Sequence, residues 1–258
     1  MLGLGNSLNR GGSGSSLLLD AHGGASGAFS TRRLSSSYSG NCVKVRNASD
    51  ELLDIGFSGA NIDSAALLTH CGSGDGFVHT WYDQSGSGNN VTTETDTDLQ
   101  PRIVDSGTYD GGIVFDSAAK RLIFYDVDDA HTFFLVINTS DTKATFFDGR
   151  SAGGGFGVAM DNGSTATNTT ISNLVGTPDY YVNGAIQSWS NRGDVYTAIN
   201  GSQKLITFAD LDIASTGTEF TPMYMGDYSG FQLSPATVNE IIIYGSVLDS
   251  VDQSGVEG

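Results

Sequence analysis

Chemistry in this chain has to come mainly from carboxylates. Its 258 residues carry 29 Asp and Glu against 12 Lys and Arg, with 4 His and 2 Cys. The densest acidic group is Asp126, Asp128 and Asp129. Calcium takes six to eight oxygens from carboxylates, carbonyls and water, and closely spaced Asp residues after a strand could supply part of that shell. A solvated acidic turn is the plainer reading of the same residues. His22, His70, His79 and His131 lack the paired spacing of a zinc site. There is no Gly-x-Ser-x-Gly nucleophile elbow and no P-loop; Gly72-Ser73-Gly74-Asp75-Gly76 is turn chemistry, because no Lys-Ser/Thr follows it. The other useful side chains are aromatic. Trp81, Tyr82, Tyr180, Tyr181 and Trp189 are candidates to stack on sugar rings, and equally candidates for the core.

The elements that must position these groups read as strands. Glycine is frequent, at 35 residues, and proline rare, at 4, which favours short strands joined by tight turns. Val43 and Val45 alternate with Lys44 and Arg46, the period of a half-buried strand. Leu52 to Phe57, Phe77 to Tyr82, Ile113 to Phe115, Leu122 to Phe124, Thr132 to Ile137 and Ala144 to Phe147 extend the theme. Asp194 to Asn200, Lys204 to Phe208, Pro222 to Met225 and Glu240 to Tyr244 continue it. Two short helices interrupt: Ser30 to Tyr38, and Ser64 to His70 behind an Asp63 N-cap and before Gly72. The expected fold class is all-β, a two-sheet concanavalin A-like jelly-roll sandwich with one or two short helices. Residues 1–16, rich in Gly and Ser, read as a leader or docking arm, and residues 17–258 as the sandwich domain.

The net charge of −17 argues against nucleic acid and against an anionic membrane surface, both of which need clustered cations. No window approaches the ~18 apolar residues of a membrane-spanning helix. The N-terminus has no basic segment followed by an apolar stretch, so no secretory signal is read there. Cys42 and Cys71 could pair or stand as separate thiols.

Trp81-Tyr82-Asp83-Gln84-Ser85-Gly86 is the most distinctive run. Asp83 and Ser85 can bond backbone N–H groups of their own turn, and Gly86 and Gly88 permit positive φ. A structural turn and a ligand loop both fit. Together with Phe29-Ser30-Thr31-Arg32-Arg33-Leu34, Val43-Lys44-Val45-Arg46 and Ile55-Gly56-Phe57, the run resembles the first portion of the α-L-arabinofuranosidase B catalytic domain. It is also similar to concanavalin A-like or laminin-G-like proteins of marine and cyanobacterial phage. The arabinofuranosidase resemblance implies a retaining hydrolase with a Glu nucleophile on a late strand, and Glu240 falls nearest that place. It also implies a later acid/base Asp, adjacent cysteines before a Phe-Asp, and a second cysteine pair. Here the Phe-Asp stretch is Ala144-Thr145-Phe146-Phe147-Asp148, without cysteine, and of the second pair only Cys71 is present, its partner position falling near Gly76. No counterpart of the acid/base Asp is read before Gly258.

These departures set the expectation of a protein without enzymatic activity. It is a phage virion module decorating a capsid or tail, made in the host cytoplasm and displayed on the virion surface. It is expected to contact capsid or tail subunits through residues 1–16, and host glycans through Trp81, Tyr180, Tyr181 and Trp189. No cofactor is expected, with calcium at Asp126, Asp128 and Asp129 the one exception considered. An arabinofuranosidase-like glycoside hydrolase is the alternative.

Overall fold

The computed structural model describes residues 17–257 apart from 94–95, 118, 125–129, 150–154, 157, 172–177, 212–222, 226–232 and 234. The leader and Asp126, Asp128 and Asp129 therefore lie outside the described residues. The first half of the chain contains α1 (Leu18–Ala21), β1 (Gly27–Ser30), β2 (Val43–Asn47), β3 (Leu52–Ile55), β4 (Phe57–Ser58), β5 (Asn61–Ile62) and α2 (Ser64–Cys71). Next come β6 (Gly76–Trp81), β7 (Val91–Thr92), β8 (Arg102–Asp105), β9 (Thr108–Phe115), β10 (Leu122–Phe124) and β11 (Thr132–Thr139). A ribbon region follows with β12 (Lys143–Thr145), β13 (Asp148–Gly149), β14 (Gly155–Phe156), β15 (Ala159–Asp161), β16 (Asp179–Val182) and β17 (Ala185–Gln187). The chain closes with α3 (Arg192–Ile199), β18 (Lys204–Ala209), β19 (Met223–Met225), β20 (Ala236–Tyr244) and α4 (Ser250–Glu257).

The strands pair antiparallel along the path β14-β13-β19-β10-β7-β6-β8-β9-β20-β11-β18-β16-β17, with β1 added to β20, and β2 and β3 added beside β6. β20 is the hub: it pairs with β11 along its whole length, with β9 at Ala236–Val238, and with β1 at Glu240–Ile243. The main core collects the inward faces of both halves, from Phe29, Val43 and Trp81 to Phe133, Ile206 and Ile241. A second, smaller core covers the outer face of the β11–β20 pair. There Leu18, Leu34, Phe134, Ile242, Tyr244 and Val256 meet, so α1 and α4 seal a face that would otherwise be wet. The fold is thus the expected all-β, jelly-roll-like sandwich, with four short α-helices among the described residues rather than one or two.

Local physics accounts for agreements and departures alike. α2 forms as read, with the Asp63 carboxylate accepting from the Ala66 N–H and Gly72 taking φ 60° at its end. Ser30 caps no helix. It is the last residue of β1 and its hydroxyl is taken by a distant carboxylate. Asp194 to Asn200 is not a strand but most of α3. Asn191 and Asp194 close a reciprocal capping box, and Arg192, Val195 and Ile199 share the buried face at helical spacing. This cap outweighs the β-leaning Val, Tyr and Thr of the segment. Cys42 and Cys71 are both free and buried. Burial pushes the Cys71 thiol up, with Asp75 adding to the effect, and burial raises the Cys42 thiol strongly.

Candidate functional site

Three carboxylates among the described residues are almost wholly removed from water: Asp83 at 4%, Glu240 at 3% and Asp161 at 2% exposed. A buried carboxylate needs donors. The source of those donors separates the three.

Asp83 and Gln84 form a clip. One Asp83 oxygen accepts from the N–H groups of Ala28 and Ser85, both at 2.8 Å, and the other accepts from the Ser85 hydroxyl and the Asn89 N–H. Gln84 accepts from the Leu34 N–H at 2.8 Å and donates to the carbonyls of Ser30 and Arg32, both at 3.0 Å. The turn is closed by Gly86 and Gly88 at φ 92° and 83°. The Tyr82-Asp83-Gln84-Ser85-Gly86 run is therefore a structural turn that ties down the irregular segment after β1. Trp81, proposed above as a sugar platform, is 0% exposed and packs 6.0 Å from Phe29 in the main core, so it offers no face to a ligand.

The tied segment presents Arg32. Its Nε donates to Glu240 Oε2 at 2.7 Å and its Nη2 to Oε1 at 2.9 Å, and the Ser30 hydroxyl adds a third bond at 2.8 Å. This is a two-pronged guanidinium–carboxylate pair in the middle of β20. Both Glu240 oxygens are engaged by residues more than two hundred positions away. The geometry is that of a cross-link between the two ends of the chain.

Asp161 is held differently. It ends β15, and one oxygen accepts from the Gly163 N–H at 2.6 Å. The other accepts from the Thr165 N–H at 3.1 Å and from the Thr165 hydroxyl. Every one of these donors belongs to its own loop. Lys143 sits directly opposite on β12, and Arg192, 6% exposed at the start of α3, feels the Asp161 charge. Burial alone would raise the Asp161 carboxyl, but the Thr165 and Gly163 donors and Lys143 outweigh it and hold it below the ordinary carboxylate range. Asp161 is a buried, ionised carboxylate. α3 packs against β15, and the Arg192 Nε donates to the Thr170 carbonyl at 2.9 Å, which fixes the loop after Asp161 against the helix. The sequence reading missed this residue, since Asp161-Asn162-Gly163 carries the same signal as any loop.

The remaining aromatic candidates divide. Tyr180 and Trp189 are brought together, their rings stacked at 4.9 Å and 26°. Tyr181 sits half-buried on the next position of β16, and so on the opposite face of the sheet from Tyr180. Tyr82 is half-buried and donates its hydroxyl to Asp54 at 2.6 Å.

The fold is a jelly-roll-like β-sandwich, and comparison with known proteins gives its family. The sequence model for the catalytic domain of α-L-arabinofuranosidase B matches residues 20–174, more than half of the chain. The chain belongs to that family. Among solved structures it is similar to a GH54 α-L-arabinofuranosidase soaked with a cyclic sulfate inhibitor, with 16% identity and a TM-score of 0.59. It is also similar to an arabinofuranosidase complexed with arabinofuranosyl-α-1,2-xylobiose, at 16% identity and TM-score 0.55. A third is a Glu-to-Gln mutant of a GH54 α-L-arabinofuranosidase soaked with 4-nitrophenyl α-L-arabinofuranoside, at 17% identity and TM-score 0.59. Each alignment covers 93% of this chain and 63% of the other, so the chain spans somewhat under two thirds of those proteins. No curated protein matches it. The family match overturns the expectation of a non-enzymatic phage virion module. The missing cysteines that prompted it alter the furnishing of the domain and do not remove its membership.

Gly76, the position that the resemblance pairs with Cys71, has no room for a side chain: a β-carbon there would stand 2.6 Å from Cys71 Sγ and 3.2 Å from the Val104 β-carbon.

Proposed function

We propose that this chain is an arabinofuranosidase-like glycoside hydrolase that works with Asp161 as its nucleophilic carboxylate. The observation that carries this reading is the placement of the family match. It includes β12, β15 and Asp161 and stops well before Glu240. Glu240 is also spent on Arg32 and Ser30, which leaves it poorly placed to attack a sugar. Asp161 is held ionised at neutral pH, the state in which a carboxylate attacks.

In a retaining hydrolase the nucleophile bonds to the anomeric carbon while a second carboxylic acid protonates the departing glycosidic oxygen. Water, deprotonated by that second group, then releases the sugar. Asp161 fills the first role with a side chain one methylene shorter than the family's glutamate. The Thr165 and Gly163 donors, with Lys143 adding positive charge, keep Asp161 deprotonated.

The substrate class is an α-L-arabinofuranoside, attached to a backbone sugar such as xylose. Incubation with 4-nitrophenyl α-L-arabinofuranoside, followed by proton NMR of the first product formed, tests the reading. Release of arabinose with retained anomeric configuration is expected. Release no faster than in buffer would overturn it.

A further inference from the structure

The pair Tyr180 and Trp189 is not accounted for by catalysis at Asp161. The two residues flank a hairpin: Tyr180 lies on β16 opposite Gln187 of β17, and Trp189 follows β17 by two positions. Their rings stack at 4.9 Å and 26°. Tyr180 also meets Phe208 at 6.2 Å in a T-shaped contact, and Tyr180 and Trp189 both pack against the rim of the main core. Both residues are half-buried. Trp189 Nε1 has no hydrogen-bond partner among the described residues.

The position of this stack follows from the chain. Trp189 stands three residues before Arg192, the residue that feels the Asp161 charge, and leads directly into α3, which packs on the Asp161 strand. An aromatic face backed by a second ring, on the segment that leads into the helix packed against the Asp161 strand, suits the C–H face of a pyranose.

We infer that Trp189, backed by Tyr180, is a stacking platform for the backbone sugar that carries the arabinofuranosyl group. This rests on the hydrolase reading for the identity of the ligand, and its test does not require turnover. The chain has 2 tryptophans, and Trp81 is 0% exposed. Emission quenched by acrylamide therefore reports Trp189. Xylooligosaccharides of two to six residues are expected to protect that emission in a saturable manner. In Trp189→Phe, where only Trp81 emits, the same sugars are expected to leave the signal unchanged. In kinetics, Trp189→Ala is expected to raise KM for an arabinofuranosyl-decorated xylan about three- to tenfold, as loss of one aromatic stack would. kcat/KM for 4-nitrophenyl α-L-arabinofuranoside, which has no backbone sugar, is expected to stay within about twofold. Trp189→Phe, which keeps an aromatic face and guards against misfolding of the Ala variant, is expected to retain most of the decorated-substrate activity. No protection by millimolar oligosaccharide overturns the platform while leaving the hydrolase reading standing if arabinofuranoside is still cleaved. Protection without cleavage supports the platform and removes the hydrolase reading.

Discussion

Glu240 and Asp161 are both almost fully buried carboxylates, yet they belong to regions built on opposite plans. Around Glu240 every bond is long in sequence. Arg32 and Ser30 reach it from the other end of the chain, and the Asp83–Gln84 clip holds the segment that carries them. Around Asp161 the hydrogen-bond donors come from the next four residues, and two cations stand nearby. A carboxylate whose donors come from afar fastens distant segments of the fold, whereas one whose donors come from the following residues fixes only its own loop. Burial alone does not distinguish them.

The largest expected effect falls on the catalytic side of this contrast. Asp161→Asn is expected to lower the hydrolysis rate by a factor on the order of 10⁴, the scale of losing a carboxylate at the reacting centre. Azide should restore part of the turnover by taking over as nucleophile, and the protein should stay folded with a lowered thermal midpoint. Loss of fold in this variant, seen by circular dichroism, would move Asp161 to the structural side.

Arg32→Ala is expected to cost about 3–5 kcal/mol of stability, because it strands the buried Glu240 charge. Denaturant unfolding measures this, and the rate per folded molecule should be unchanged. A stable but inactive Arg32→Ala protein would break the comparison from the other direction.

A smaller loss is expected from Gly76→Ala, whose β-carbon would stand 2.6 Å from Cys71 Sγ and 3.2 Å from the Val104 β-carbon. Overpacking of this kind is expected to cost about 1–3 kcal/mol. Denaturant unfolding measures it, and the rate per folded molecule should be unchanged.

The pH dependence is the mildest test. Asp161 is held below its ordinary range in the fold, so its contribution to stability is fully present above the unfolded-state value. That contribution is lost as pH falls through the lower folded value. The acid limb of the activity profile, if set by Asp161, should lie below the ordinary range of an aspartate carboxyl. A limb well above that would assign it to another group.

Much of the scaffold was legible because its signals are local. Val43 and Val45 alternate with polar neighbours and form β2, and Asp63 caps α2. The Asp83–Gly86 turn was recognisable, but its partners Ala28, Leu34 and Arg32 lie some fifty residues away, and spacing cannot specify such bonds. The β16–β17 hairpin carried a readable Asn183-Gly184 signal, with φ of 51° and 75°, that the sequence reading passed over. α3 was misread because Val, Tyr and Thr favour strands, while the deciding capping box spans only Asn191 and Asp194. α4 was missed because its acidic, Gly-containing sequence has little intrinsic preference for helix. It is held by Val256 in the outer core and by the Glu257 carboxylate, which accepts from the Thr207 hydroxyl. The candidate site depended on these less legible parts. Asp161 gains meaning from Lys143 across the ribbon and from Arg192 on the helix.

The account turns on which buried carboxylate attacks the sugar. The most direct measurement compares 4-nitrophenol release from 4-nitrophenyl α-L-arabinofuranoside by Asp161→Asn and Glu240→Gln, each normalised to folded protein. The account predicts near wild-type turnover for Glu240→Gln and almost none for Asp161→Asn. An inactive, folded Glu240→Gln beside an active Asp161→Asn would contradict it.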